Sequence, residues 1–281
     1  MISCALAKVS EFMTFPRHST IVLICFACLL GLTPPAIAEL TAEERFERIS
    51  RALGGDQQAQ DALMAEAPDD AFPHWVIATA HQQAGRIDEA AEFYQEALRL
   101  GDLESALAMS QMYFDAGRFS DAHAWGQVWV LHHFDPAEIQ AGKANQDVGM
   151  FMLRRNLEKM DDEQIEQAEQ FAGTVLNGWL PDKIQERNLC IDTPQTCGKW
   201  SIRHRTNPEY PYSMFTRGEL GWVRLVLLID ANGEVETTRH LGSSNNAFRR
   251  AAQRAVRRWR FSPPEDATDG TIFVQTIHFV M

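Results

Sequence analysis

Two cysteines and one histidine have a spacing that could bind a metal. Cys190 and Cys197 are followed by His204 at the same seven-residue interval. Three ligands without a fourth, and without a Cys-x-x-Cys pair, make a weak zinc signal. In an exported chain, an isolated close pair of cysteines is better explained by a disulfide. We therefore predict a Cys190–Cys197 disulfide, and the metal site is the alternative.

Other polar clusters could suggest catalysis or a metal. His132 and His133 lie close to Asp135 and Glu138, but this segment reads as a solvated helix end before a proline. Paired acids at 69–70 and 161–162 have no partner groups. The sequence has no Gly-x-Ser-x-Gly, no His-Glu-x-x-His and no phosphate-binding P-loop. We predict that the protein is not an enzyme and has no catalytic residues, metal or cofactor.

The charge of the chain is divided unevenly. The 281 residues are 45% apolar and carry a net charge of -12, as in a folded acidic protein. Residues 39–198 hold 12 basic and 29 acidic residues, whereas 199–281 hold 12 basic and 8 acidic ones. This asymmetry predicts two domains with different surfaces. We do not expect nucleic acid as a partner, because phosphate contacts need clustered cations.

The N-terminus is typical of an export signal. The apolar run Ile21 to Leu32 has 12 residues, too few to cross a membrane of roughly 30 Å as a helix. Ala36 and Ala38 then form the small-x-small pattern of a signal-peptidase site. We predict a signal peptide at 1–38 and export to the periplasm. An uncleaved inner-membrane anchor facing the periplasm is the alternative, and the start could be Met1 or Met13.

Residues 39–187 have the texture of helical hairpins. Two segments align at a spacing of 32 residues, Ala84 to Ala90 and Ala116 to Ala122. In each, a helix ends at the glycine, and a small alanine lets the next helix approach closely. The pattern resembles the tetratricopeptide family and its Sel-type relatives, which implies a protein-binding surface. An ordinary antiparallel bundle is the alternative, and the number of repeats is left open.

The C-terminal part changes to alternating strands and one helix. Strands are predicted at Trp222–Ile229, Glu234–Leu241 and Thr271–Met281, with an Asn-Gly turn between the first two. An apolar stripe at helical spacing predicts a helix at Ala247–Trp259, and a short helix is expected around Tyr212–Arg217. We predict an α+β protein: an all-α repeat domain followed by a small domain with one helix on a three-stranded antiparallel sheet.

A series of residues in this part forms an ordered motif. It comprises Tyr210, Pro211, Gly218, Gly221, Asp230, Gly233, Ser243, Ser244, Trp259, Phe261 and Pro263. In type and order they resemble the C-terminal domain of the TonB family, over about residues 208–281. Residues 188–207 are then a linker that carries the disulfide. The glycines permit turn geometry, and the aromatic pair closes the core, so most of the motif specifies the fold.

The resemblance implies binding by strand addition. In such domains an extended peptide from an outer-membrane receptor, or from another envelope transport protein, pairs with a sheet edge. The candidate edge is the last strand, with Phe273, Val274, Gln275, Thr276, Ile277, His278 and Phe279. The alternative is that the repeat domain or a second copy covers this edge, because uncovered edges are hazardous.

The sequence departs from a full energy transducer. The resemblance implies an uncleaved membrane helix that meets ExbB and ExbD, and a long proline-rich span. Here the 12 prolines never run longer than two, and the helical domain stands where the span would be. We predict a periplasmic protein–protein interaction protein. The alternatives are a membrane-anchored TonB-type transducer and a cell-envelope scaffold with a non-receptor ligand.

Five arginines lie on the polar face of the predicted C-terminal helix. They are Arg249, Arg250, Arg254, Arg257 and Arg258. A solvated face is the simplest interpretation. Docking of this face onto the acidic repeat domain is a second hypothesis, and it predicts loss of the contact at high salt.

Overall fold

A computed structural model describes residues 40–178, 200–265 and 267–281. The described residues belong to one compact unit, Leu40–Met281. The predicted cleavage site at Ala36 and Ala38 and the predicted disulfide between Cys190 and Cys197 lie outside them. Those two assignments therefore stay predictions.

The first described segment is helical. It contains α1 (Ala42–Leu53), α2 (Gln57–Glu66), α3 (Ala71–Gln83), α4 (Ile87–Arg99), α5 (Glu104–Asp115), α6 (Phe119–His133), α7 (Pro136–Gln140), a 3₁₀ turn (Lys143–Gln146), α8 (Val148–Leu157) and α9 (Asp162–Gly178). Successive helices pack in pairs, α1 with α2, α3 with α4, and α5 with α6. We call this segment the helical domain, and it is consistent with the predicted hairpin repeats.

The turns inside these pairs use the same backbone device. Gly55, Gly85 and Gly117 have φ of 88°, 75° and 74°, the left-handed region that glycine adopts without strain. The residue after each of the last two glycines bonds back into the preceding helix, Arg86 N–H to His81 and Arg118 N–H to Tyr113. This pattern ends a helix and starts the return helix. The repeated glycine seen in the sequence is therefore a turn signal.

The second described segment forms the predicted α+β domain. Its elements are β1 (Ser201–His204), α10 (Tyr212–Phe215), β2 (Gly221–Ile229), β3 (Val235–Ser243), α11 (Asn246–Val256), β4 (Arg260–Ser262) and β5 (Thr271–Phe279). Three strands make an antiparallel sheet in the order β3-β2-β5, and α11 packs on one face. The fold class predicted from the sequence is confirmed.

A small second sheet was not predicted. β1 pairs with β4, with Ser201 opposite Ser262. The indole N–H of Trp259 donates to the Thr206 carbonyl at 2.9 Å, and Trp200 is buried. Residues 200–207 thus pack on the α+β domain, although they fall in the span predicted as a linker. A four-residue strand with every side chain exposed has no alternation that could have revealed it.

The helical domain covers the sheet face opposite α11. Trp222, Val226 and Leu228 of β2 share an apolar core with helical residues such as Trp75, whereas Leu225 shares the core under α11. All nine residues of β2 are buried, which explains why its sequence is almost continuously apolar. β2 therefore contributes side chains to both cores.

One ion pair lies inside the interface between the helical domain and the sheet. Arg224 Nη1 on β2 is 2.8 Å and 2.9 Å from the two carboxylate oxygens of Asp102, and the side chains are 1% and 3% exposed. Ser105 Oγ donates to the same carboxylate at 2.8 Å, and the guanidinium lies 3.9 Å from the Trp75 ring centre. Burial raises the pKa of Asp102 to about 6, which the Arg224 charge opposes.

The hypothesis that the arginine face docks onto the helical domain is wrong. Arg250 and Arg254 are exposed on α11, and Arg257 and Arg258 are exposed in the turn that follows it. The contact with the helical domain uses the other face of the sheet, where it is largely apolar. The interdomain contact therefore depends on apolar burial, one buried ion pair and hydrogen bonds such as that from Thr79 to Leu241, and the general charge split does not drive it.

Candidate functional site at a sheet edge

All seven predicted edge residues lie on β5, and β5 is an edge of the sheet. It pairs with β2 along its whole length, from Gly221 opposite Phe279 to Ile229 opposite Thr271, without a register shift. Within the part of the chain that the structure describes, no strand pairs with its other side. The strand therefore offers a straight and regular edge.

The backbone direction along β5 follows from its partner strand. Trp222 bonds on the β3 side, donating its N–H to Ser244 Oγ and accepting from Ser244 N–H, both at 3.0 Å. Alternate residues of an antiparallel strand turn their backbone groups to opposite neighbours. The backbone N–H and C=O groups of Arg224 and Val226 therefore also point toward β3. Their partners on β5, Thr276 and Val274, point these groups to the outer edge, away from β2. The Gln275 amide donates to the Thr276 carbonyl there, at 2.6 Å.

The opposite edge, β3, differs in regularity and charge. Its pairing with β2 has two register shifts, and Glu236 and Arg239 lie within it. Bulges and charged residues are the devices by which proteins protect a strand edge from further pairing. β5 contains no Asp, Glu, Lys or Arg. Of the two edges, β5 is the one suited to accept another strand.

The side chains of β5 are shared between the two cores. Phe273 lies 5.0 Å from Phe261, and Phe279 lies 4.5 Å from Phe248, on the α11 face. Val274 is buried against the helical domain. Thr276 is half-buried and His278 is exposed. The helical domain therefore packs against one face of β5, and the strand stays accessible around Thr276 and His278.

The glycines and the acid of the predicted motif have structural roles. Gly218 and Gly233 have φ of 63° and 84°, in the turns that precede and follow β2. A side chain at Gly221 would collide with Ser244 and Phe248, so this glycine lets β2 approach α11. Asp230 Oδ1 accepts from the N–H of Glu234 at 2.8 Å and closes the β2–β3 turn.

The aromatic and serine motif residues also hold the domain together. The Tyr210 hydroxyl donates to the Glu219 carbonyl at 2.5 Å, and burial raises its pKa. Trp259 and Phe261 are buried under α11. Ser243 Oγ lies 2.9 Å from His240 Nε2, and burial, aided by the Arg249 charge, lowers the pKa of that imidazole to about 4. These motif residues hold the sheet and its helix together.

The polar clusters singled out in the sequence are explained by helix ends. Asp135 and Glu138 form a reciprocal cap at the start of α7, and Asp70 caps α3 through the Phe72 N–H at 2.8 Å. Asp161 caps α9, accepting from Gln164 N–H at 2.9 Å. In the described ranges, no three His, Cys, Asp or Glu side chains are placed to hold a metal ion. That the protein has no catalytic activity stays a prediction.

One group near the edge was missed in the sequence. The Trp129 ring of α6 lies 5.7 Å from the His278 ring on β5, at 79° to it. Trp129 also lies 4.1 Å from the His133 ring. The sequence holds no signal for this contact, because it joins residues of two domains.

A helix that could span a membrane is not found among the helices described above.

Comparison with known proteins supports the family assignment. Residues 206–281 match the family described as Gram-negative bacterial TonB protein C-terminal. A solved structure, the solution NMR structure of Pseudomonas aeruginosa TonB CTD, is similar at 22% identity, over 30% of this chain and 87% of that chain, with a TM-score of 0.28. Comparison with curated proteins gives no match. Residues 206–281 therefore form a domain of the TonB C-terminal family, joined to a helical domain that the family match does not include.

Proposed function

We propose that this protein binds an extended segment of an envelope protein, such as an outer-membrane transport protein, by strand addition to β5. The TonB family fits an interaction role in the Gram-negative cell envelope. The observation that carries the mechanism is the contrast between the edges: β5 is regular and uncharged, while β3 is bulged and charged. Main-chain hydrogen bonds would supply affinity, and pockets for alternate side chains would supply specificity.

A proline substitution on each edge tests the mechanism. Thr276→Pro removes an N–H that points away from β2, so the β2–β5 ladder keeps its hydrogen bonds. Thr238→Pro is the matched control, because Thr238 pairs with Leu227 and its backbone also turns outward, on the β3 edge. We expect Thr276→Pro to abolish peptide binding and Thr238→Pro to preserve it.

The binding partners for this test are ten-residue peptides that tile the periplasm-facing segments of outer-membrane transport proteins. Affinity is measured by fluorescence polarisation with the full chain. Circular dichroism and thermal unfolding of each variant establish that it is folded. If a folded Thr276→Pro protein binds the peptides as tightly as the wild type, strand addition to β5 is wrong.

Peptide chemistry gives a second readout of strand addition. In an added strand, alternate residues direct their N–H groups to β5. N-methylation at successive positions should therefore weaken binding at every second residue. A uniform response would indicate binding through side chains alone.

The predicted location rests on the N-terminus. Cleavage after Ala38 would leave a periplasmic protein, whereas a retained apolar run would anchor it in the inner membrane. The intact mass of the protein recovered from native envelopes distinguishes these. An anchored form would make coupling to ExbB and ExbD the next experiment.

A further inference from the structure

The C-terminal end of α6 brings aromatic rings to the part of β5 around His278. Trp129, His132 and His133 of α6, together with His278 of β5, form a group that we call the ring cluster. Its neighbouring ring centres are 5.7 Å apart for Trp129 and His278, 4.1 Å for Trp129 and His133, and 6.0 Å for His132 and His133. His133 and His278 are both exposed. The helical domain therefore reaches the strand that is proposed to bind peptide.

The cluster is held in place from behind. A side chain on Gly149 of α8 would collide with the Trp129 ring, so the helix backbone lies directly against the indole. The Trp129 N–H donates to Asp147 at 3.1 Å, and His133 Nδ1 lies 3.0 Å from the Trp129 carbonyl. These contacts fix the position of the rings relative to β5.

Strand geometry places one peptide side chain beside these rings. An added strand would lie about 4.8 Å beyond β5, with directly opposed Cβ atoms about 5 Å apart. Side chains that are directly opposite in an antiparallel sheet point to the same face. The peptide residue opposite His278 therefore projects toward the helical domain and meets the ring cluster, whereas its two neighbours project toward the α11 side.

The groups around that position are mainly aromatic rings, with one carboxylate behind them. Phe134 is half-buried at the end of α6, and its ring centre lies 6.3 Å from that of His133. The Asp147 carboxylate accepts from the indole. Burial and the neighbouring His133 lower the pKa of His132, which favours its neutral form at pH 7. Trp129 is buried behind the exposed rings of His133 and His278, and exposed rings favour contact with another aromatic ring.

We infer that the ring cluster is a second wall of the peptide site, and that it selects an aromatic side chain at the peptide position opposite His278. This inference rests on the proposed strand addition to β5. It gives the helical domain a direct part in choosing the partner, beyond covering the sheet.

The test uses peptides that differ at one position. Starting from a peptide whose binding is lost in Thr276→Pro, each residue is replaced in turn by Phe and by Ala. We expect one position at which Phe binds about two- to tenfold more tightly than Ala, the range of an aromatic pair. The same replacement at the adjacent position, facing α11, serves as the peptide control.

Two histidine variants separate the ring cluster from general effects. His133→Ala should reduce the Phe-over-Ala preference to less than twofold. His204→Ala, an exposed imidazole on β1, should keep the full preference.

Each outcome decides between the two proposals. An unchanged preference in His133→Ala would overturn the second wall and leave strand addition standing. Absence of any peptide whose binding is sensitive to Thr276→Pro would overturn both.

Discussion

The two faces of the three-stranded sheet are covered in different ways. On the α11 face, Phe248 and Trp259 close an apolar core, and all its members lie within residues 200–279. On the helical-domain face, the apolar core contains a buried ion pair whose members are 122 residues apart. Apolar contact alone tolerates several packings, whereas a buried charge is stable only opposite its partner. We expect the ion pair to fix the register of the helical domain on the sheet.

Breaking the ion pair should give the largest effect. Arg224→Ala leaves the Asp102 carboxylate buried without its partner, and we expect the free energy of unfolding to fall by about 3–5 kcal/mol. Urea unfolding followed by tryptophan fluorescence measures it. The control is the double variant Arg224→Met with Asp102→Leu, which replaces the charges by apolar groups and should lie within about 1 kcal/mol of the wild type. A double variant as unstable as the single one would contradict this account.

Low pH should destabilise the folded protein through His240, on the α11 face of the sheet. Its folded-state pKa is about 4, below the ordinary 6.5, so between these values the unfolded chain binds more protons than the folded one. Its stabilising contribution is complete above pH 6.5 and is lost as pH falls to 4, by about 3 kcal/mol at most.

The measurement is the difference in urea unfolding between the wild type and His240→Gln, from pH 4 to 7. The wild type should lose stability relative to the variant as pH falls. The raised pKa of Asp102 acts in the opposite direction, but it is common to both proteins and cancels in the difference. Parallel pH profiles would exclude His240 as a source of acid sensitivity.

Close packing on the α11 face should be sensitive to one methyl group. Gly221→Ala would place Cβ against Ser244 and Phe248, and we expect a loss of about 2 kcal/mol in thermal or urea unfolding. Gly173→Ala is the matched control in α9, where nothing lies within 4 Å. It should raise stability by about 0.5–1 kcal/mol, because alanine favours helix. Equal effects would show that the close approach at Gly221 is not specific.

A single hydrogen bond on the helical-domain face should give the smallest effect. Thr79 Oγ1 donates to the Leu241 carbonyl of β3 at 3.0 Å. Thr79→Val should lower the free energy of unfolding by about 1 kcal/mol. Thr174→Val, which removes a bond within an exposed helix, should change it by less than about 0.5 kcal/mol. If Thr79→Val and Thr174→Val have the same free energy of unfolding, the hydrogen bond to Leu241 makes no special contribution to stability.

The contrast between local patterns and long-range contacts explains which parts of the structure the sequence could predict. The apolar stripe of α11, the Asn-Gly turn and the long strands are local patterns, and the structure has them close to the predicted bounds. Even so, α11 ends at Val256, three residues before Trp259, which instead lies in the turn to β4. The repeated glycine predicted the hairpins because one backbone turn needs it.

Contacts between distant residues could not be predicted. Arg224 lies within an apolar strand, and nothing in the sequence identified Asp102 as its buried partner. The ring cluster escaped notice because Trp129 and His278 are brought together only by the packing of two domains. The motif residues predicted the edge strand, whereas the second wall beside it needed the tertiary structure.

The interface between the helical domain and the sheet has a consequence for the order of folding. Its hydrogen bonds join residues 122, 162 and 227 positions apart, the last between Ala42 N–H and Asp269. The helical hairpins close over short distances and can form while the chain is being synthesised, but these long-range contacts must wait for the strands of the C-terminal sheet, the last of which is β5. Until β5 is complete, the surface around Trp75 and Asp102 has no sheet to cover it. Folding of this protein should therefore end in a slow step that joins its first helices to its last strand.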